Sequence, residues 1–196
     1  FHTPMPSTEW YQGLDGYTLA SMKNLLFCHP ADWTPWENPK DAPPPEVAVP
    51  GEVTGRLTGG NLSLVASSVG TWYQLDTAGA VLFLEDIGER PYRLDGMLTH
   101  LRNSGALERC AAILLGAFTD CVAEDPARSL TIPEVIRDVV EPVCREKNIP
   151  LVTGLTCGHT LPTMSLPLGS GARISAREDG SFSFTLAPLK GTGSAS

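Results

Sequence analysis

Two side chains in this sequence have the types and surroundings that acid–base chemistry needs, and the first is Glu85. It directly follows the apolar run of residues 80–84, which has the length and composition of a buried strand. Open α/β sheets bind ligands beyond the carboxyl ends of their strands, so we expect carboxylates to be exposed here. Asp86 and Glu89 are placed equally well, and any of the three could instead stabilise the start of the next helix. The spacing alone does not choose among them.

His159 is the second candidate. It follows another apolar run, residues 149–155, after a glycine, so we expect it to be exposed at a sheet edge. An imidazole oriented by a carboxylate is the usual base for activating a serine, because the carboxylate fixes the tautomer and stabilises the imidazolium. If both runs are strands of one sheet, Glu85 and His159 can meet despite their separation in sequence. A purely structural histidine is the alternative.

Three further motifs suggest weaker alternatives. Cys157 and His159 alternate along an extended chain, which would suit a thiol nucleophile or a metal pair, but no second ligand cluster accompanies them. Gly59-Gly60-Asn61 precedes a short helix and would suit an anion, although a tight turn is the simpler interpretation. Ser170 lies between two glycines and is typical of a turn rather than of a nucleophile elbow. The sequence thus offers an acid and a base with no serine for them to activate.

An α/β domain would position these residues. Apolar runs predict strands in four places, at residues 53–57, 80–84, 111–115 and 149–155. Helical spacing of apolar residues predicts helices over residues 16–28, after Asn61, after Pro91 and after the capping box of Thr131 and Glu134. Pro142 lies within the last helix, where we expect a kink or an early end. Residues 172–184 alternate around Asp179-Gly180, which predicts a hairpin.

Residues 28–50 interrupt this pattern. The segment contains seven prolines, which exclude a continuous helix or a central strand, so we expect a linker or a surface excursion. Trp33 and Trp36 lie within it. Two interpretations stay open, because the indole rings either pack the segment onto the domain or line a ligand-binding surface.

The charge balance limits the classes of partner. Lys and Arg number 14 and Asp and Glu number 22, for a net charge of −8. Coulomb repulsion then opposes nucleic acid and anionic lipid, so neither is expected as a partner. The five cysteines include no Cys-x-x-Cys pair, and no apolar run is long enough to cross a bilayer. With no secretory leader in the sequence, we expect a cytoplasmic protein that uses no metal and no cofactor.

Five segments, taken together, resemble the serine L,D-carboxypeptidase family, which removes the terminal D-alanine from murein tetrapeptides. They follow the family's order along nearly the whole chain: FHTPM at 1–5, GRLTGGNL at 55–62, LFLEDIGERPYRLD at 82–95, TGLTCGH at 153–159 and LPLG at 166–169. The resemblance implies a Ser-His-Glu triad with Glu85 as its acid and His159 as its base. This resemblance, rather than spacing, favours Glu85 over Asp86 and Glu89.

The resemblance also implies a domain organisation. Residues 1–27 would be the tail of a Rossmann-like N-terminal domain that carries the serine and the oxyanion hole. Residues 51–190 would form the family's swivelling β/β/α-type C-terminal domain, and residues 191–196 a flexible tail. The nucleophile would then lie upstream of Phe1, so we expect the chain alone to be inactive and to need that domain as a partner. A homodimer is expected as well.

The Pro- and Trp-rich segment indicates a second branch of the same family. It is long for a murein-recycling enzyme and resembles that of the microcin-C immunity peptidases, which hydrolyse the amide of peptidyl or aminoacyl nucleotides. In those relatives aromatic residues of the C-terminal domain help to hold the nucleotide, a role that Trp33 and Trp36 would have here. Residues 85–93 favour the murein enzymes instead. A non-catalytic module, or one half of a split enzyme that needs a second chain, is the remaining alternative.

Overall fold

The computed structural model describes residues 1–7 and 10–188, and the centre of this part is a mixed sheet of seven strands. The strands are β1 Glu46–Val49, β2 Gly51–Asn61, β3 Ala80–Ile87, β4 Ala112–Thr119, β5 Leu151–Thr153, β6 Gly171–Ala176 and β7 Phe182–Ala187. In space they follow the order β1-β5-β4-β3-β2-β6-β7. Strands β2 to β5 run parallel, while β1 joins one side and β6 and β7 join the other in antiparallel pairing. The predicted α/β class is confirmed.

Helices connect the parallel strands, as crossovers between such strands require. The crossover helices are α2 Leu62–Ser68, α3 Pro91–Asn103, α4 Ile132–Val135 and α5 Glu141–Lys147, whereas α1 Gly16–Phe27 precedes the first strand. Apolar side chains of α2 to α5 pack on one face of the sheet. The opposite face is covered by α1, part of the Pro-rich segment and the loop that follows β5. The sheet is therefore a buried central layer.

The central strand β3 is buried on both faces. Leu84 joins the core beneath the crossover helices, whereas Phe83 joins the core on the opposite face. Successive side chains of a strand point to opposite faces of the sheet. The next two residues, Glu85 and Asp86, are therefore directed to different sides.

Most predicted elements are present, some with different limits. The helix predicted from residue 16, the helix that begins at Pro91 and the final hairpin all occur. Strand β2 is longer than predicted and extends to Asn61. The prediction of a tight turn at Gly59 and Gly60 is therefore wrong. Both glycines instead pair in register with β3. Asn61 ends the strand because its side chain accepts a hydrogen bond from the backbone of α2.

The helical segment before β5 changes its hydrogen-bonding pattern where Pro142 occurs. Thr131 and Glu134 begin it with the predicted capping box, in which each side chain bonds to the backbone N–H of the other. Pro142 has no N–H for the carbonyl four residues earlier. The turn before it widens, and the N–H of Glu141 bonds to the carbonyl of Ile136, five residues back. The expected kink is thus a π-helical turn.

Residues 28–50 pack onto the sheet through Trp36. Its backbone N–H donates to the carbonyl of Phe184 at 2.8 Å, and its ring lies edge-on to Phe182 with the centroids 5.7 Å apart. Trp36 is 5% exposed, and Trp33 is half-buried against the same core. The ring of Trp36 therefore packs the segment onto the domain and does not line a ligand-binding surface.

The predicted domain limits, at residues 1–27, 28–50 and 51–190, stay a prediction. Residues 46–49 of the middle segment belong to the sheet as β1. The predicted tail at residues 191–196 lies outside the described residues. Within residues 1–7 and 10–188, no helix has the length and apolar character needed to cross a membrane.

Candidate active site

The carboxyl end of β3 places two adjacent carboxylates in different surroundings. Glu85 and Asp86 are 0% and 2% exposed, so the expectation that the strand exposes its carboxylates is wrong. The strand continues to Ile87 beside β4, and both side chains stay inside the fold. Buried ionisable groups need partners that compensate for the lost water. The partners of these two residues differ in kind.

His159 reaches β3 from β5, although β4 lies between those two strands. After β5 the chain crosses the end of β4, where the N–H of Ala117 donates to the carbonyl of Cys157 at 2.9 Å. Gly116 makes this crossing possible, because a Cβ there would lie 2.3 Å from the Cys157 carbonyl oxygen. The loop then continues to the end of β3.

Glu85 and His159, the two residues predicted to carry the chemistry, are in direct contact. Nδ1 of His159 lies 2.8 Å from Oε2 of Glu85, and the backbone N–H of His159 donates to the same oxygen at 3.1 Å. The carboxylate is fully buried, whereas the His159 side chain is 30% exposed. Because the carboxylate occupies Nδ1, Nε2 is the ring nitrogen left to act as a base.

Gly158 allows this close approach. Its φ is +120°, and a Cβ there would lie 2.7 Å from Oε2 and 2.9 Å from Cβ and Cγ of Glu85. Thr163 fixes the same turn from the other side, since its hydroxyl accepts from the Gly158 N–H and donates to the Gly158 carbonyl, each at 3.1 Å. The backbone therefore places the imidazole against the carboxylate.

The two competing carboxylates have structural partners instead. Asp86 accepts hydrogen bonds from the side-chain amide of Asn61 and from the N–H and hydroxyl of Ser63, at 2.8–3.0 Å. It therefore ties the start of α2 to β3. Glu89 pairs with Arg93 one helical turn further on. Among the described residues, Glu85 alone of the three carboxylates contacts a histidine.

The Asp86→Ala substitution should therefore reduce stability. We expect the free energy of unfolding to fall by about 1–3 kcal/mol in urea denaturation, because the half-buried donors of Asn61 and Ser63 lose their buried acceptor. Asp138→Ala is the matched control, since Asp138 pairs with Arg137 in solvent and should contribute little. Equal losses for the two variants would contradict the structural role of Asp86.

A second histidine, His2, lies on the other side of Glu85 and was not predicted as a site residue. Its Nε2 is 3.9 Å from Oε1 of Glu85, and its ring packs edge-on against Phe83 with the centroids 5.4 Å apart. Burial lowers the pKa of His2 below its ordinary value, and the Glu85 charge opposes that effect. His2 belongs to the FHTPM segment, so the resemblance of that segment was the signal that could have found it.

The two histidines line a cavity of about 1070 Å³. The cavity opens at the carboxyl ends of the parallel strands, beside the first residues of the chain and the loop that follows β5. Apolar and exposed side chains form much of its wall, namely Phe1, Met5, Leu64, Tyr73 and Leu161. Its size suits a small-molecule or peptide ligand.

The alternatives to a carboxylate–imidazole pair fit the structure poorly. Cys157 is fully buried, and its Sγ contacts the carbonyl of Met164 at 3.0 Å. Burial, followed by the nearby Glu85 charge, raises the pKa of this thiol well above its ordinary value, so the reactive thiolate is disfavoured. Ser170 lies in a turn before β6, as predicted. No serine within residues 1–7 and 10–188 hydrogen-bonds to the His159 ring.

A buried carboxylate that holds an imidazole at the carboxyl ends of parallel strands is the acid and base arrangement of hydrolases with a nucleophile–histidine–acid triad. The chain belongs to the LD-carboxypeptidase family, because residues 54–174 match the model of the LD-carboxypeptidase C-terminal domain. The family suggested by the five sequence segments is thereby confirmed, and so is the C-terminal location of the match.

Three relatives illustrate the similarity. The probable murein peptide carboxypeptidase of Bacillus subtilis is 37% identical over 181 residues, covering 91% of this chain and 53% of the relative. A crystal structure of muramoyltetrapeptide carboxypeptidase from Oxalobacter formigenes has a TM-score of 0.74 at 28% identity, covering 94% of this chain and 60% of that one. The microcin C7 self-immunity protein of Escherichia coli is 32% identical over 123 residues, covering 61% of this chain and 33% of the relative. The chain spans about half the length of the Bacillus relative.

Proposed function

We propose that this chain is the acid-and-base-bearing part of a serine LD-carboxypeptidase. The reaction is hydrolysis of the L,D-amide bond to the terminal D-alanine of a murein tetrapeptide, a step of peptidoglycan recycling. The observation that carries the proposal is the contact between Glu85 and His159, with 2.8 Å between Oε2 and Nδ1. The names of the Bacillus and Oxalobacter relatives support the substrate class.

In this mechanism His159 acts first as a base and then as an acid. Its Nε2 takes the proton of the serine hydroxyl while the serine oxygen attacks the amide carbonyl. The amide carbon–nitrogen bond then breaks, and Nε2 of His159 gives the proton to the leaving amine of D-alanine. Water, activated in the same way, then releases the acyl group from the serine. Glu85 keeps the proton on Nδ1 and stabilises the imidazolium in each half-reaction.

The serine belongs, in our proposal, to a Rossmann-like N-terminal domain that precedes Phe1. Residues 1–27 are the tail of that domain, and residues 51–190 form the C-terminal domain. The exposed apolar side chains on the cavity wall support this arrangement, because apolar surface beside a site is typical of a contact with another domain. The chain alone is then inactive. A cytoplasmic location and a homodimer belong to the same proposal.

The microcin C7 relative supports one alternative substrate. The same Glu85–His159 pair would then serve cleavage of a peptidyl or aminoacyl nucleotide, with an indole ring holding the nucleotide. Trp36 is buried against Phe182 and Phe184, Trp33 packs against the same core, and neither indole lines the cavity beside His159. The burial of Trp36 favours the murein substrate.

Two assays of the full-length protein, run side by side, test the proposal. We expect D-alanine release from a murein tetrapeptide, quantified by chromatography, and no release by the 196-residue chain alone. Adding a separately produced N-terminal domain to the chain should restore release when the added domain is supplied at high concentration. Turnover of an aminoacyl nucleotide alone would favour the alternative substrate. Turnover of neither substrate would contradict the proposal and favour a non-catalytic module.

A further inference from the structure

The two oxygens of the Glu85 carboxylate are used unequally. Oε2 receives both contacts of His159, from the ring and from the backbone N–H. Oε1 is buried and has no hydrogen-bond partner among the described residues. A buried carboxylate oxygen without a donor is costly, because hydration is lost and nothing replaces it. The site therefore lacks one donor on the side away from His159.

His2 lies on that side. Its backbone pairs with Leu166 through two hydrogen bonds of 2.8 Å, and its ring is held against the edge of Phe83. The distance of 3.9 Å from Nε2 to Oε1 of Glu85 is longer than a direct hydrogen bond. Catalytic hydrogen bonds are often long without substrate and shorten when the site is occupied. A shift of about 1 Å would bring this pair into hydrogen-bonding range.

We infer that His2 is a positioning residue of the triad, which donates its Nε2–H to Oε1 of Glu85 when the site is occupied. This inference rests on the proposed function, because the carboxylate it fixes is the acid of the proposed triad. Held at both oxygens, the carboxylate cannot rotate away from Nδ1 of His159. Its negative charge then faces the imidazolium that forms during the reaction.

The charge state of His2 suits this role. Burial is the largest effect on its pKa and lowers it, the Glu85 charge raises it, and His159 and the Phe1 amino group lower it. In a longer protein the Phe1 amino group is part of a peptide bond and has no such effect. Burial, the largest of these effects, favours the neutral ring. A neutral donor holds the carboxylate without cancelling the charge that stabilises the His159 imidazolium.

Kinetics of two His2 variants in the full-length protein test the inference. His2→Phe keeps a ring against Phe83 but removes the donor, so we expect kcat to fall about tenfold with KM nearly unchanged. The acid limb of the pH–rate profile should move about one pH unit lower. A tenfold loss in the equilibrium that stabilises the imidazolium corresponds to a shift of about one unit on the pH scale. His2→Gln offers an amide N–H in place of the imidazole and should recover most of kcat.

The outcomes separate a positioning role from a packing role. A His2→Phe profile with an unmoved acid limb, or equal losses in His2→Phe and His2→Gln, would overturn the inference. Thermal unfolding of each variant shows whether a loss of kcat follows from misfolding.

A substrate-free measurement separates this inference from the proposed function. NMR titration of the His2 ring in the full-length protein should give a lower pKa in Glu85→Gln than in the wild type, because the charge that raises it is gone. An unchanged pKa would refute the contact between His2 and Glu85. If neither substrate is turned over while the pKa does fall, the proposed function fails although the contact stands.

Discussion

The His159→Ala variant of the full-length protein is expected to release D-alanine about 10⁴-fold more slowly than the wild type. In the proposed mechanism, alanine removes the base that takes the serine proton and the acid that protonates the leaving amine. Glu85→Gln should cost a similar factor, because an amide in place of the carboxylate no longer holds the proton on Nδ1 or stabilises the imidazolium. Steady-state kcat, measured by chromatography of D-alanine, checks both results.

Two surface residues provide matched controls for these substitutions. His100 is exposed in the last turn of α3, and Glu178 is exposed near the β6–β7 turn. His100→Ala and Glu178→Gln change the same residue types far from the cavity and should leave kcat within about twofold. Near-normal turnover by either Glu85→Gln or His159→Ala would contradict the proposed triad. The double variant should be little worse than either single one, because the residues act as a unit.

Gly158→Ala is expected to lower kcat by about 10²–10³-fold. The added Cβ would lie 2.7 Å from Oε2 of Glu85, and the φ of +120° is strained for any residue with a side chain. Relief of the overlap must move the carboxylate or the turn that carries His159, and a displacement of about 1 Å in a catalytic group costs on the order of 10²-fold. Kinetics of the full-length variant measure the effect.

Gly169→Ala is the control for Gly158→Ala. Gly169 also has a positive φ, +93°, but a Cβ there meets no atom within 4 Å. The control therefore introduces backbone strain without the overlap, so its kcat should stay close to that of the wild type. Similar kcat values for the two variants would show that the contact with Glu85 does not set the position of His159.

The elements around the site were predictable because each has a local signal. Pro91 begins a helix, Thr131 and Glu134 form a capping box, and Asp179-Gly180 marks the turn of a hairpin. Limits of strands were less predictable. β2 continues through Gly59 and Gly60 because β3 pairs with it, and such pairing leaves no mark in a short stretch of sequence.

The choice between Glu85 and Asp86 illustrates what local patterns lack. A strand buried on both faces is apolar throughout, so no alternation shows which side each residue faces. The side chain of Asp86 bonds to Asn61 and Ser63 on one side of the sheet, and that of Glu85 contacts His159 on the other. These partners are all distant in sequence from β3. Spacing did not distinguish the two carboxylates, so the prediction of Glu85 as the acid depended on the resemblance to a family.

The positions of the two histidines also depend on distant contacts. His159 was expected at the end of another strand of the same sheet, but its chain continues past β5 and crosses β4 above Gly116 to reach β3. His2 comes to the site through its pairing with Leu166, at the far end of the sequence. Neither Gly116 nor Leu166 has a local pattern that indicates such a contact.

The pairing of His2 with Leu166 also affects how an N-terminal domain would meet this one. The two hydrogen bonds hold the first residues of the chain against the cavity wall, so a domain attached before Phe1 would begin close to His159. Docking is then intramolecular, with an effective concentration on the order of millimolar for a short connection. Separate polypeptides at micromolar concentration have no such advantage. Covalent attachment would add to the contact across the apolar cavity wall in keeping the serine within reach of the imidazole.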